Sequence, residues 1–245
     1  MSSVKVEVEG AIATVRFDRG GKANALDQAM IDALETAARE LSLNPDVSVI
    51  VLAGTPKIFA AGVDLKDPRL WDPQGPAVAR HLSMNAGVRM STAWRRLPQI
   101  VIAAIEGPAI GGGAILALCA DFRVMAEDAY LRFPEVRLGM TLGWGGLPLL
   151  TERVGAGRAK RILCCDETIG ADEALTLGLA DRAVAAGAAL DAAREWANAI
   201  AEIPPMSLRM TKSAIDAHAR QNWAEGVEGD QFLLAKLLAE GGGGA

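Results

Sequence analysis

Three stretches hold residue types that could take part in chemistry. In "EGPAIGGGA", Glu106 to Ala114, a strand-like run gives way to three glycines and an apolar helix. A helix N-terminus carries unpaired N–H groups and a partial positive charge. Stripping its first turn of side chains lets an anionic oxygen approach. In "KIFAAGVDLKD", Lys57 to Asp67, the small residues Ala60, Ala61 and Gly62 follow a buried strand. They expose backbone N–H groups at a strand's carboxyl end, the edge at which α/β folds bind ligands. Two such stretches facing each other form an oxyanion hole from two backbone donors. For either alone, tight packing of a small-residue helix against a strand explains the composition equally well. The third stretch is "FPEVRLGMTLGWGG", Phe133 to Gly146. Pro134 fixes the chain direction ahead of Glu135, and a carboxylate beside an apolar pocket has a raised pKa and can serve as acid or base. An exposed glutamate at a strand end is the commoner case.

Other chemistries lack their residues. The two histidines, His81 and His218, lie far apart in helical segments without ligand partners at metal spacing. There is no G-x-S-x-G elbow and no phosphate-binding P-loop. "GAGRAK", Gly155 to Lys160, lacks a preceding strand and a third glycine and reads as a turn between helices. Cys119, Cys164 and Cys165 are an odd count with two adjacent, which is no disulfide framework, and the adjacent pair is expected to pack in a helix. A net charge of -5 and a pI of about 5.2 argue against a nucleic-acid partner. The opening "MSSVKVEVEG" is charged and strand-like rather than a signal peptide. The most apolar window, Leu97 to Ala120, is interrupted by Pro98, Glu106 and Pro108, so no membrane span is expected. A reducing cytoplasm is the expected compartment.

These residues need a scaffold, and the patterning supplies one. Lys5–Glu9 and Ile12–Phe17 alternate about Gly10 as a hairpin. Asp27 caps a helix carrying Met30, Leu34, Ala37, Ala38 and Leu41 on one face. Val47–Gly54 and Gln99–Gly107 read as buried strands, with a loose region at Asp67–Pro76 and a helix over Val78–Arg96 between them. "FRVMAE" and "AYLRF" are two more strands. From Trp144 helices dominate: Leu147–Val154, Arg158–Leu163, Ala171–Leu177, Ala188–Ala201, Ser207–Ala219 and Val227–Ala239, with a short strand in Leu179–Val184. The class is therefore α/β.

Taken together the stretches resemble the crotonase, or enoyl-CoA hydratase/isomerase, family. "NAL" (Asn24–Leu26), "KIFAAGVDLK", "IGGGAILALCADFRVMAE", "FPEVRLGM", the Gly-rich turn and "ADEALTLGLADRAV" (Ala171–Val184) stand in family order and spacing across nearly the whole chain. The resemblance implies a crotonase-like spiral of strand–strand–helix units with a helical C-terminal region. It divides the chain into a catalytic, acyl-CoA-binding core over 1–190 and a helical region over 191–240 for oligomerisation and active-site cover; the glycine-rich "GGGGA" over 241–245 reads by composition as a disordered tail. It implies an acyl-CoA thioester substrate, no metal or separate cofactor, and a homotrimer or dimer of trimers. By position the two oxyanion donors would be the amides of Ala61 and Gly112. Gly62, Val63, Asp64, Leu65, Gly111, Ile115 and Trp144 would line the substrate groove, with Lys22, Ala23 and Ala25 near the nucleotide end. Glu135 would be the acid and base.

One departure bears on the reaction. Hydratases of the family hold water between two glutamates, one just after the glycine triplet and one in the "PE" motif. Ile115 takes the first place here, and only Glu135 remains. A single glutamate suits a double-bond isomerase or a related lyase acting through an enolate. The alternatives are a hydratase working with Glu135 alone and an inactive acyl-CoA-binding protein. Gly143 stands where other relatives carry an aspartate, against their dehalogenase-like and ring-isomerase-like chemistry. Trp144 is expected to narrow the acyl pocket or stack on the acyl group; core packing at a helix start accounts for it equally well.

Overall fold

The computed structural model describes residues 3–71 and 73–220. Strands β1 (Val4–Glu9) and β2 (Ile12–Phe17) form the expected antiparallel hairpin, turning at Gly10 with φ 58°. Helix α1 (Gln28–Ser42) starts where Asp27 Oδ1 accepts the Met30 N–H at 2.8 Å. It buries Met30, Leu34, Ala37, Ala38 and Leu41, the apolar face its spacing predicts, and Ile31 beside them. Strand β3 (Val49–Ala53) is buried along its whole length, as a central parallel strand must be.

Helices α2 (Pro68–Trp71), α3 (Ala77–Met84) and α4 (Ala86–Arg95) follow. The single helix expected over Val78–Arg96 is thus two, broken at Asn85. The Asn85 side chain donates to the His81 carbonyl at 2.9 Å, competing with the helical ladder. Strand β4 (Ile100–Ile105) leads into β5 (Pro108–Ile110), helix α5 (Gly112–Leu118), and strands β6 (Phe122–Ala126) and β7 (Tyr130–Arg132). A 3₁₀ turn over Pro134–Leu138 carries Glu135. Helix α6 (Gly146–Cys164) is interrupted at Gly155 (φ 77°, ψ 158°), the turn between helices that "GAGRAK" suggests. Cys164 and Cys165, expected to pack, are exposed at its end. Strand β8 (Thr168–Gly170), α7 (Ala171–Leu177), β9 (Arg182–Val184), α8 (Ala189–Ala201) and α9 (Pro205–Arg220) complete the described chain.

A six-stranded sheet runs β1-β2-β3-β4-β6-β9, parallel from β2 onward, and a three-stranded sheet runs β5-β7-β8. The division expected at residue 190 falls inside α8, which packs on β3, β4 and β6. Its first turn is fixed by Glu106, whose carboxylate accepts the Gly187 and Ala189 N–H groups at 3.0 and 2.7 Å. Glu106 therefore caps a helix. Lys212 ties α9 to the sheet through the Gln99 carbonyl at 2.8 Å and Asp121 at 2.5 Å. The helix expected over Val227–Ala239 and the tail over 241–245 lie outside the described residues.

Candidate active site

Strand β5 is the piece that brings the chemistry-bearing stretches together. Pro108 O accepts from the Phe59 and Ala60 N–H groups, and the Ile110 N–H donates to Ala60 O at 2.9 Å. On its other edge β5 pairs with β7, and the Gly111 N–H donates to Arg132 O at 2.8 Å. The loop after β3, the N-terminus of α5 and the turn carrying Glu135 are thus held by one short ladder. They enclose a cavity of about 150 Å³. Ala61, Gly62, Val63, Leu65, Gly111, Gly112, Ile115, Glu135 and Trp144, all expected at the site, line it. Trp71, Ile110, Pro134, Leu138, Met140, Thr141 and Gly143 complete the wall.

Lys22, Ala23, Ala25 and Asp64 do not reach the cavity wall. Lys22, Ala23 and Asn24 lie just behind it in consecutive left-handed conformations, φ 49°, 51° and 51°. Asn24 holds that strained segment. Its Nδ2 donates to Phe17 O and Phe59 O at 3.2 and 2.8 Å, and its Oδ1 accepts the Arg19 N–H at 3.0 Å. The Asp64 carboxylate is engaged by the Lys66 N–H and by Arg19 at 2.7 Å, which hold it below the usual carboxylate range.

The backbone donors differ from expectation at one position. The Ala61 N–H is given to Ala23 O at 3.1 Å, so it is turned away from a ligand. Gly62, at φ 90°, redirects the chain. Leu26 N–H then donates to Gly62 O, and the Asp64 N–H donates to Leu26 O, forming a parallel bridge centred on Val63. In such a bridge the central residue's own N–H points away from the partner. The Val63 N–H has no acceptor among the described residues. Gly112, first residue of α5, likewise has no acceptor for its N–H there, as the opening of a helix dictates. The two segments touch: a Cβ added to Gly62 would lie 3.6 Å from the Gly112 nitrogen.

Each glycine of the triplet faces a different neighbour. A Cβ on Gly111, whose φ is 50°, would meet Glu135 Oε1 at 3.0 Å. On Gly112 it would fall 2.5 Å from Trp144 Cζ3, and on Gly113 2.7 Å from Ala60 O. Trp144 is itself buried at φ 55°, a left-handed conformation that costs an L-residue roughly 1–2 kcal/mol. Its carbonyl is anchored by the Ser91 hydroxyl at 2.7 Å. Ile115 is 2% exposed and packs against Gly146, where an added Cβ would lie 2.8 Å from Ile115 Cγ1.

Glu135 is the one carboxylate on the cavity wall among the described residues. Its Oε2 is buried without a hydrogen-bond partner. Burial pushes its carboxyl from 4.5 up to about 7; its own N–H opposes the shift and the charge of Asp166 adds to it. Asp166 is in turn gripped by Arg132, at 2.5 Å, and by Arg137. A carboxyl poised near neutrality, on the same wall as Val63 and Gly112 with their unpaired N–H groups, can remove and return a proton α to a carbonyl whose oxygen rests on such donors. Among the described residues no cluster of three His, Cys, Asp or Glu could hold a metal, and no helix is long and apolar enough to cross a membrane.

The sequence matches the enoyl-CoA hydratase/isomerase family model over residues 7–241. It is 32% identical over 226 residues to a probable enoyl-CoA hydratase of Mycobacterium leprae, covering 91% of this chain and 84% of that one. It is also 32% identical over 226 residues to a short-chain-enoyl-CoA hydratase of Clostridium acetobutylicum, covering 88% and 82%. The crystal structure of an enoyl-CoA hydratase from Bacillus anthracis superposes with a TM-score of 0.82 at 30% identity, over 98% of this chain and 90% of that one. A monofunctional enoyl CoA isomerase from M. smegmatis superposes with a TM-score of 0.76 at 27% identity, over 94% and 98%. With matches of this length and identity, and a strand–strand–helix spiral that superposes on theirs, the chain belongs to the enoyl-CoA hydratase/isomerase, or crotonase, family.

Proposed function

We propose that the protein is a double-bond isomerase of enoyl-CoA thioesters in which Glu135 alone moves the proton. The observation that carries this reading is the composition of the cavity wall: among the described residues one carboxylate, raised to about 7 by burial, with Ile115 in place of a second acid. The thioester oxygen rests on the N–H groups of Val63 and Gly112. Val63 takes the role that position alone gave to Ala61. The Glu135 carboxylate removes a proton from C2 of a 3-enoyl thioester. The electron pair moves through the carbonyl carbon onto the oxygen, and the dienolate is held there by two donors. Glu135, now protonated, returns the proton to C4, leaving the double bond conjugated with the carbonyl. No proton is exchanged with water and no cofactor is required. Each preorganised donor contributes roughly 3–4 kcal/mol to such a charge.

Water addition is the second reading, favoured by the hydratase names of several relatives. It needs Glu135 to orient and activate water alone, in a cavity whose Ile115 face is dry. Incubation with a 3-enoyl-CoA should raise the absorbance of the conjugated thioester, and Glu135→Gln should abolish the rise. Rapid loss of crotonyl-CoA absorbance, with no conversion of the 3-enoyl-CoA, would replace the isomerase reading with the hydratase one.

A further inference from the structure

We infer that the Trp144 indole is the end wall of the acyl pocket and restricts the substrate to short acyl chains. This rests on the acyl-CoA reading above and specifies its acyl group. The indole lies in a slot made by two glycines from different elements. On one side is Gly112, opening α5; on the other is Gly87, in the first turn of α4, where an added Cβ would fall 1.8 Å from Trp144 Cε2. Neither position accepts even a methyl group while the ring is in place. The ring is held there by a left-handed backbone and by the Ser91 hydroxyl on its carbonyl. A bulky residue persists in such a conformation only where its surroundings over-determine it.

The indole, with Val63 and Trp71, borders two spaces. Before it lies the cavity with Glu135 and the amides of Val63 and Gly112. Behind it is a second, apolar space of about 10 Å³ bounded by Val63, Leu70, Trp71, Met84, Gly87 and Trp144. That space is hardly large enough for one water. Val63, Trp71 and Trp144 line both. An acyl chain whose carbonyl rests on the donors therefore meets the ring before it can reach the gap among α2, α3 and α4. Removing the ring joins the spaces and gives a longer chain an apolar path between those helices.

The test is binding of saturated acyl-CoA thioesters, which undergo no isomerisation. Butanoyl-, hexanoyl-, octanoyl- and dodecanoyl-CoA are titrated into the full chain by calorimetry. An unobstructed apolar pocket gains about fourfold in affinity per methylene buried. The wild type is expected to lose that increment by octanoyl-CoA. Trp144→Gly, which also relieves the left-handed backbone, should raise the octanoyl-to-butanoyl affinity ratio at least tenfold, and Trp144→Phe should fall between. A wild-type series that climbs steadily to dodecanoyl-CoA overturns the end wall and leaves the acyl-CoA reading intact. So does an unchanged ratio in a folded Trp144→Gly. If the glycine variant does not fold, the wild-type series and Trp144→Phe decide by the same criteria. Failure of the wild type to bind any of the four overturns the acyl-CoA reading and this inference with it.

Discussion

Replacing Glu135 with Gln should cripple turnover and yet shift stability in the variant's favour as pH rises to neutrality. The carboxyl titrates at about 7 in the folded chain against 4.5 when free. Between those values the folded state holds a proton that the unfolded state has released, so stability falls as pH rises through the interval. The penalty is absent below 4.5 and complete above about 7. At about 1.4 kcal/mol per pH unit, that interval amounts to about 3 kcal/mol. The amide introduced by Glu135→Gln has no charge to desolvate, and the variant loses this dependence. A buried amide carries its own cost, roughly 1–3 kcal/mol if unpaired, but that cost does not vary with pH. The informative quantity is therefore the stability difference between variant and wild type as a function of pH. Urea denaturation from pH 4 to 8, at one protein concentration, should show the difference moving in favour of the variant by about 3 kcal/mol, with most of the change between pH 4.5 and 7. Turnover should fall by roughly 10²–10⁴-fold, the usual contribution of a positioned acid–base group. A difference that stays flat across that range would refute the claim that burial of Glu135 sets its proton affinity, whatever happened to activity.

Other substitutions probe the neighbouring groups. Ile115→Glu should confer or raise water addition to crotonyl-CoA, followed as loss of conjugated absorbance, while lowering stability by a few kcal/mol for burying a carboxylate; no gain in hydration would remove the argument drawn from Ile115. Asp166→Asn removes a negative charge that raises the Glu135 carboxyl and frees Arg132 and Arg137. Both changes act in one direction, so the acid limb of the pH–kcat/KM profile should move to lower pH; an unmoved limb would show that Asp166 does not act on Glu135. Asn24→Ala leaves two carbonyls and one N–H without their partner and should cost roughly 2–4 kcal/mol by denaturation. Because Ala23 O anchors the Ala61 N–H, that variant should also weaken acyl-CoA binding.

Much of this arrangement is legible in the sequence because its signals are local. The Asp27 cap, the α1 face, the buried β3 and β4, the glycine triplet and the "PE" pair all declare themselves within a few residues. What escapes depends on contacts between distant segments. Strand β5 is only three residues long, too short for a periodicity, yet it ties Ala60 to Arg132. Gly87 reads as an ordinary glycine in a helical stretch until the Trp144 ring is found against it. The donor in the "AAGVD" loop cannot be chosen by side-chain size. Ala61 is smaller than Val63, but a peptide N–H is aimed by its backbone, and the bridge to Leu26 and the bond to Ala23 decide which one is free. Glu106 lies within a motif that suggests chemistry, and its role in capping α8 rests on a partner 83 residues away.

The three consecutive glycines are sufficient grounds for none of this when read as a block. They serve separate neighbours. Gly111 leaves room for the Glu135 carboxylate, Gly112 for the Trp144 ring, and Gly113 for the Ala60 backbone. A bared amide needs only one of them. Gly111 sets where the Glu135 carboxylate stands relative to that amide, Gly112 itself admits the indole, and Gly113 seats the turn on the Ala60 backbone. The triplet therefore sets the spacing of the Glu135 carboxylate, the Gly112 amide and the Trp144 ring in a single turn of chain. With Ile115 closing that turn, the same segment places a carboxylate from the Glu135 turn beside the donors and supplies none of its own. Under the proposed isomerase reading a proton is carried between two carbons on Glu135, and among the described residues the cavity wall has no second acid to hold water. That asymmetry is built by the glycines' neighbours as much as by the missing glutamate.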